Sequence, residues 1–305
     1  MRITRRLAPL LLAGLAAATV AGPALARCEG VTPQARPQNT PLEDVGRDFD
    51  RILDEGWIEI ALYDDFAPWS AEVNGAPEGV DVDLARLIAA ELGVEARIRL
   101  VTAGETLDAD LMNYVWKGAA IGGHVSDLML HVPYDSDYAC RFDQVVFTGQ
   151  YATESMAIGY RLADYPEKGP TPNYFRYDTV GVENDSIADF YLTSIGNGSV
   201  DHSIHRYRSV AAAVAAMAAG EVMAVMGPRG QIEGATQDHS EAGLAVHEPP
   251  LLGFTRGSWT VGTGLSAQHR DLGYAVDDAI ARALDDGRIS AIFQAHGLTF
   301  KPPER

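Results

Sequence analysis

The 305-residue chain sets 24 Lys and Arg against 42 Asp and Glu, a formal charge of −18. That balance excludes a nucleic-acid binder, which needs a basic footprint, and disfavours an anionic membrane surface. An apolar share of 47% supplies a core for one large domain or two lobes, and two cysteines are too few for a disulfide scaffold.

The first 26 residues read as an export leader. Arg2, Arg5 and Arg6 precede the apolar run Leu7 to Val20, and Ala24-Leu25-Ala26 offers a small-x-small cleavage site. Cleavage after Ala26 leaves 21 basic and 42 acidic residues, or −21. Arg27 stands where a lipid-attachment motif on Cys28 would need a small residue. In an oxidising compartment Cys28 and Cys140 could pair, but spacing alone does not bring them within bonding distance.

Residues 27–44 carry Pro33, Pro37 and Pro41 among polar residues and read as a loose arm. Val45 to Leu53 suggests a short helix. In Trp57 to Ser70 the alternating Ile58, Ile60 and Leu62 predict a strand, broken by Pro68. Its acidic and aromatic loop presents Tyr63, Phe66 and Trp69. Leu84, Leu87, Ile88 and Leu92 then recur at helical spacing between Gly79 and Gly93, with Asp81 placed to act as N-cap. Strand, loop, Gly, acidic cap and helix make the opening of an α/β domain. Ala96, Ile98 and Leu100 predict a second strand over Glu95 to Val101, and Leu111 to Trp116 a helix.

This order resembles the amino-acid-type (family three) extracellular solute-binding proteins, in which a Gly-aromatic-Asp-x-Asp-Leu turn opens the first helix. Here Val80 holds the aromatic position. The resemblance implies a two-lobed, type II periplasmic-binding-protein fold with a central cleft and hinge. Lobe 1 would take residues 45–150 and 257–305, and lobe 2 residues 151–256. It also implies a small-molecule solute, an ABC-transporter permease as partner, a periplasmic location, a monomer, and neither enzyme activity nor a cofactor.

Along the rest of the chain the same resemblance selects candidate ligand residues. Asp127-Leu128-Met129-Leu130 matches a family strand, but Gly118 to Asp127 is longer than the family's turn. That segment is either a surface insertion or a cleft loop, with His131, Pro133 and Tyr134 at the strand's C-terminal end. Arg141, six residues before Phe147-Thr148-Gly149-Gln150-Tyr151, stands where the family holds a ligand carboxylate. A planar guanidinium suits that task; a surface Arg paired with Asp137 or Asp143 is the alternative. One hinge is expected near Phe147 to Tyr151 and a second near Arg256 to Val261.

In the second lobe, Val180 and Val182 predict a strand over Tyr177 to Glu183. A helix follows from Ile187 to about Ser194, another over Val210 to Ala219, and a strand over Glu221 to Met226. The family's carboxylate-binding Gly-Thr is replaced by Asp185-Ser186, where Asp185 would cap the helix amides itself. Its ammonium-binding Asp is replaced by Pro228. A standard amino acid would then lose two of three anchors. The turn Met226-Gly227-Pro228 is similar to that of the quinoprotein-dehydrogenase-associated, methanol-oxidation accessory subgroup. That likeness implies an alternative partner, a PQQ-dependent dehydrogenase or its cytochrome.

Trp259 to Leu265 reads as a strand returning to lobe 1. Leu272, Val276, Ala279, Ile280 and Ala283 form a helical stripe, and a last helix begins at Ile289. His202 and His205 form an isolated pair without metal-site spacing. Ser266 lacks the second Gly of a nucleophile elbow, and Gly227-Pro228-Arg229-Gly230 lacks the Lys-Ser/Thr of a phosphate loop.

Overall fold

The computed structural model describes residues 28, 30–33, 45–121, 123–195, 198–251, 253 and 257–304. The expected leader and its cleavage site lie outside these residues, as does most of the N-terminal arm.

The chain begins with α1 (Phe49–Glu55), β1 (Trp57–Tyr63), the hairpin β2 (Ala71–Val73) and β3 (Ala76–Glu78), α2 (Val80–Leu92) and β4 (Glu95–Val101). It continues through α3 (Leu107–Leu111) with a π turn at Met112–Trp116, β5 (Leu128–Tyr134), α4 (Ser136–Arg141) and the long β6 (Val145–Arg161). Then come β7 (Val180–Glu183), α5 (Ile187–Ser194), β8 (Ile204–Tyr207), α6 (Val210–Ala219), β9 (Ala224–Pro228), α7 (Arg229–Gln237) and β10 (Leu244–His247). β11 (Ser258–Ser266), α8 (Arg270–Asp285) and α9 (Arg288–Ala295) close the fold.

β1 lies between β4 and β5, parallel to both, with Ile60 opposite Ile98 and Leu128. Such a strand is covered on both faces, which is why Ile58, Ile60, Ala61 and Leu62 are all buried. The stripe of α2 closes one face: Leu84 and Ile88 are fully buried there with Ile52, Leu272, Val276, Ile280 and Phe293. A second set of cores, around Phe175, Val182, Leu192 and Met226 and around Val214, Met217 and Ile232, flanks the parallel strands β8, β7 and β9.

One strand joins the two halves. β6 pairs antiparallel with β11 as far as Ser155 opposite Ser258, and from Met156 onward it pairs with β9 and β10. The change of partner falls at Ser155–Met156, beyond the Phe147–Tyr151 segment from which a hinge was expected. Within that segment β6 is locally irregular: Gly149 takes φ +55°, and the pairing with β11 shifts register between Val261 and Thr263.

The expected cap of α2 is placed differently. Gly79, not Asp81, is the N-cap of α2. A Cβ on Gly79 would lie 2.2 Å from the carbonyl oxygen of Trp69, and its φ of +134° suits only glycine. Asp81 instead turns inward, where its carboxylate accepts from the Tyr151 hydroxyl (2.7 Å) and bonds Nδ1 of His131 (2.8 Å). Cys28 and Cys140 are paired, a question their spacing left open.

After α9 the chain crosses back onto the second half. The amide of Thr299 donates to Glu233 (2.9 Å), Arg229 donates to the carbonyl of Thr299 (2.5 Å), and the amide of Thr153 donates to the carbonyl of Lys301 (3.0 Å). Lys301 also pairs with Glu248. No helix among the described residues is long and apolar enough to cross a membrane.

Candidate functional site

Parallel strands deliver their following loops to one side, and here both halves do so toward each other. β1 ends at the loop holding Asp65 and Phe66. In the second half β7 ends at Glu183, β8 leads directly into Arg208 and Ser209, and β9 ends at Pro228. These residues line a cavity of about 690 Å³ together with Ser186, Ile187, Ala188, Ala211, Gln231 and Trp259. Trp259 packs against the cores of both halves.

The starts of α5 and α6 form the floor. The Ser186 hydroxyl accepts from the amide of Asp189 (3.3 Å), and that of Ser209 from Ala212 (3.1 Å). Ser186 is therefore the N-cap of α5. The expectation that Asp185 would cap it is corrected: Asp185 sits at φ +57°, and its carboxylate accepts from the side chain of Asn184. Asp and Asn tolerate that left-handed position, which aims the side chain away from the helix start. The Glu183 carboxylate accepts from the Val210 amide at the start of α6. Burial pushes Glu183 above the usual carboxylate range, and the charge of Asp65 adds to the rise.

Of the ten residues selected from sequence, Phe66, Ser186 and Pro228 line this cavity. Tyr63 donates its hydroxyl to Asp110 (2.8 Å), and burial with that bond drives its ionisation well up. Trp69 and His131 are buried against each other with ring centroids 4.7 Å apart, and Phe66 meets the His131 ring edge-on. Tyr134 is half-buried at the end of β5, opposite Thr260. Arg141 is exposed in the last turn of α4. Gly227 is buried in β9 opposite Ala157, with Val210 against it. Asp65, Glu183, Arg208, Ser209, Gln231 and Trp259 were missed. Most of them follow the C-terminal ends of parallel strands, and that rule applied to every predicted strand is the signal for them.

The segment Gly118 to Asp127 lies elsewhere. Gly123, His124, Val125 and Asp127 line a cavity of about 440 Å³ with Arg47, Trp57 and Glu59, at the N-terminal ends of β1 and β5. Asp127 is structural: Arg47 donates to it (Nε to Oδ1, 3.2 Å), as does the amide of Glu59 (2.7 Å). The Arg47 guanidinium also lies 3.4 Å from the centre of a Trp57 ring.

The two halves meet beside the cleft. A Cβ on Gly230, in the first turn of α7, would stand 2.3 Å from the Trp69 ring, and one on Gly234 would stand 2.9 Å from Pro68. Glu154 is buried at this junction. Its carboxylate accepts from the amides of Ser155 (2.7 Å) and Gly230 (3.2 Å), and burial raises its proton affinity despite nearby Arg229.

No family model matches the sequence, and no curated relative does. Solved structures do match in fold. An ancestral cationic amino acid solute-binding protein, AncCDT-1, aligns with a TM-score of 0.65 at 18% identity, over 82% of this chain and 99% of its own. A second structure of that ancestral protein, a precursor of cyclohexadienyl dehydratase, aligns at 0.56 and 16%, over 82% and 99%. The amino acid ABC transporter substrate-binding protein AbpA of Streptococcus pneumoniae, bound to L-arginine, aligns at 0.56 and 22%, over 81% and 97%. The chain has the two-lobed solute-binding-protein fold. In that fold the 690 Å³ cavity is the space between lobes, walled by Asp65 and Phe66 from one and by Glu183, Arg208 and Pro228 from the other. None of these three structures is of a dehydrogenase-associated protein.

Proposed function

We propose that this chain is an exported solute-binding protein. It closes on a small organic solute other than a standard amino acid and presents that solute to an ABC-transporter permease. The observation that carries the reading is the cavity between the lobes, set at the C-terminal ends of β1, β7, β8 and β9. A solute held there touches both lobes at once, so it favours the closed form over the open one. Export is supported by the basic and apolar leader and by the pairing of Cys28 with Cys140, which suits an oxidising compartment.

The exclusion of standard amino acids rests on the cavity wall. Pro228 offers neither charge nor donor at the family's ammonium position, and Ser186 and Glu183 already take amides at the two helix starts. Thermal shift decides the matter. A ligand at a hundred times its dissociation constant adds roughly 2.7 kcal/mol to the folded state. A library of amines, sugars, carboxylates and aromatic solutes is expected to contain compounds that raise the melting temperature. The twenty standard L-amino acids at millimolar concentration are expected to leave it unchanged. A clear upward shift by any of the twenty defeats the exclusion, and a library without a single hit defeats the solute-binding reading.

A further inference from the structure

We infer that the cleft takes an organic cation without a carboxylate, an aliphatic amine or guanidinium, held between Asp65 of one lobe and Glu183 of the other. This deepens, and rests on, the solute-binding reading above.

The cavity is lined by two carboxylates and one guanidinium, so its fixed charge is negative. The two acids come from opposite lobes: Asp65 follows β1, and Glu183 ends β7. They are close enough for the charge of Asp65 to disfavour ionisation of Glu183. Closing the lobes on nothing brings like charges together, whereas closing on a cation replaces that repulsion with two attractions. Phe66 and Trp259 supply the aromatic wall on which an alkylammonium or guanidinium group packs favourably.

The same wall opposes an anion. The start of α6, where a carboxylate would otherwise be drawn, is already occupied by the Glu183 carboxylate on the amide of Val210. Ser186 and Ser209 add their own oxygens at the amides of Asp189 and Ala212. Arg208, the cation on this wall, is solvent-exposed, as is Asp65, so water screens both, whereas the half-buried Glu183 is screened less. Arg141, the guanidinium selected from sequence for a carboxylate, is exposed on α4.

The test uses agmatine and arginine, which share a guanidinium and an aliphatic chain and differ by the carboxylate, with putrescine and glutarate alongside. Calorimetry on the full mature chain is expected to show agmatine or putrescine binding, with agmatine at least tenfold tighter than arginine. Asp65→Asn and Glu183→Gln should each weaken that binding at least tenfold while the circular dichroism spectrum is unchanged. In the Glu183→Gln variant the side-chain amide keeps an oxygen for the Val210 N–H, so loss of binding there reports charge. Arginine or glutarate binding as tightly as agmatine overturns the inference and leaves the solute-binding reading intact. Failure of both agmatine and putrescine to bind also overturns it. Only if the wider solute library fails too does the underlying reading fall with it.

Discussion

A carboxylate without a full ion-pair partner is costly to bury, and Glu154 is 2% exposed at the junction of the lobes. Burial raises its proton affinity more than the amides of Ser155 and Gly230 and the charge of Arg229 lower it. The sign of the pH effect follows from linkage. A raised carboxyl contributes stability in full below its ordinary value of 4.5, and that contribution is lost as pH rises through the folded-state value. Glu154→Gln removes this dependence. Between pH 4.5 and pH 7.5 the wild type should therefore lose more stability than the variant, or gain less. Urea unfolding at the two pH values measures the difference, and any constant offset from the amide cancels. Equal pH slopes would mean that Glu154 titrates in the folded protein as it does in the unfolded chain. Asp81 solves the burial problem differently. Fully buried, it is met by the Tyr151 hydroxyl and the His131 ring, so an expected helix cap serves as a core hydrogen-bond centre.

Among elements, α7 decides how closely the lobes meet. Its first turn needs a residue without a side chain, because Trp69 occupies the space that a Cβ on Gly230 would take. Gly234, one turn on, faces Pro68 in the same way. Gly230→Ala should destabilise the protein by about 1–3 kcal/mol, the usual penalty for overpacking a filled contact. The helix itself would gain from alanine, so a net loss reports the crowding against Trp69 and the Glu154 carboxylate. Denaturant unfolding measures it; a variant as stable as the wild type would mean that Trp69 and α7 part freely. β6 is the other deciding element. It spans 17 residues with an irregularity at Gly149, and its partners change further on, at Ser155–Met156, from β11 to β9 and β10.

At the scale of the whole molecule, the connections between lobes go beyond β6 and β11. The tail after α9 lies on α7 and β6 through Thr299 and Lys301, so the chain's last turn of structure belongs to both halves. At the other terminus, the disulfide ties Cys28 to Cys140 at the end of α4, across a separation of 112 residues. A cross-link over so long a loop restricts the unfolded chain far more than the folded one. Cys28→Ser is expected to cost about 2–4 kcal/mol, measured by urea unfolding. Reducing the wild type should reproduce that loss and leave the reduced variant unchanged. A loss in the variant that reduction of the wild type does not reproduce would assign the effect to the serine substitution and not to the bond.

Much of the architecture was legible in the residue pattern. β1, α2, β4, α5, α6, β11 and α8 follow alternation or helical stripes, because burial on one or both faces imposes those periods on any sequence that must fill them, whereas α4, α7, β8 and β10 were not read from the pattern. The helices Ile187–Ser194 and Val210–Ala219 begin at serine caps and end at the expected residues for that reason. The site was less legible, since a cavity between lobes gathers residues that are neighbours only after folding. Phe66 and Pro228 stand 162 positions apart and share a wall, while His131 and Trp69, equally plausible on paper, turn into the core. Asp81 and Asp185 show the same limit at close range. Each sits where a cap is chemically reasonable, yet the partner that decided its role came from a distant strand for one and from a left-handed backbone for the other. Local pattern determines which elements form, because the period of burial is written along each one; which side chains face the space between the lobes is decided only by packing, because every wall of that space comes from a different part of the chain.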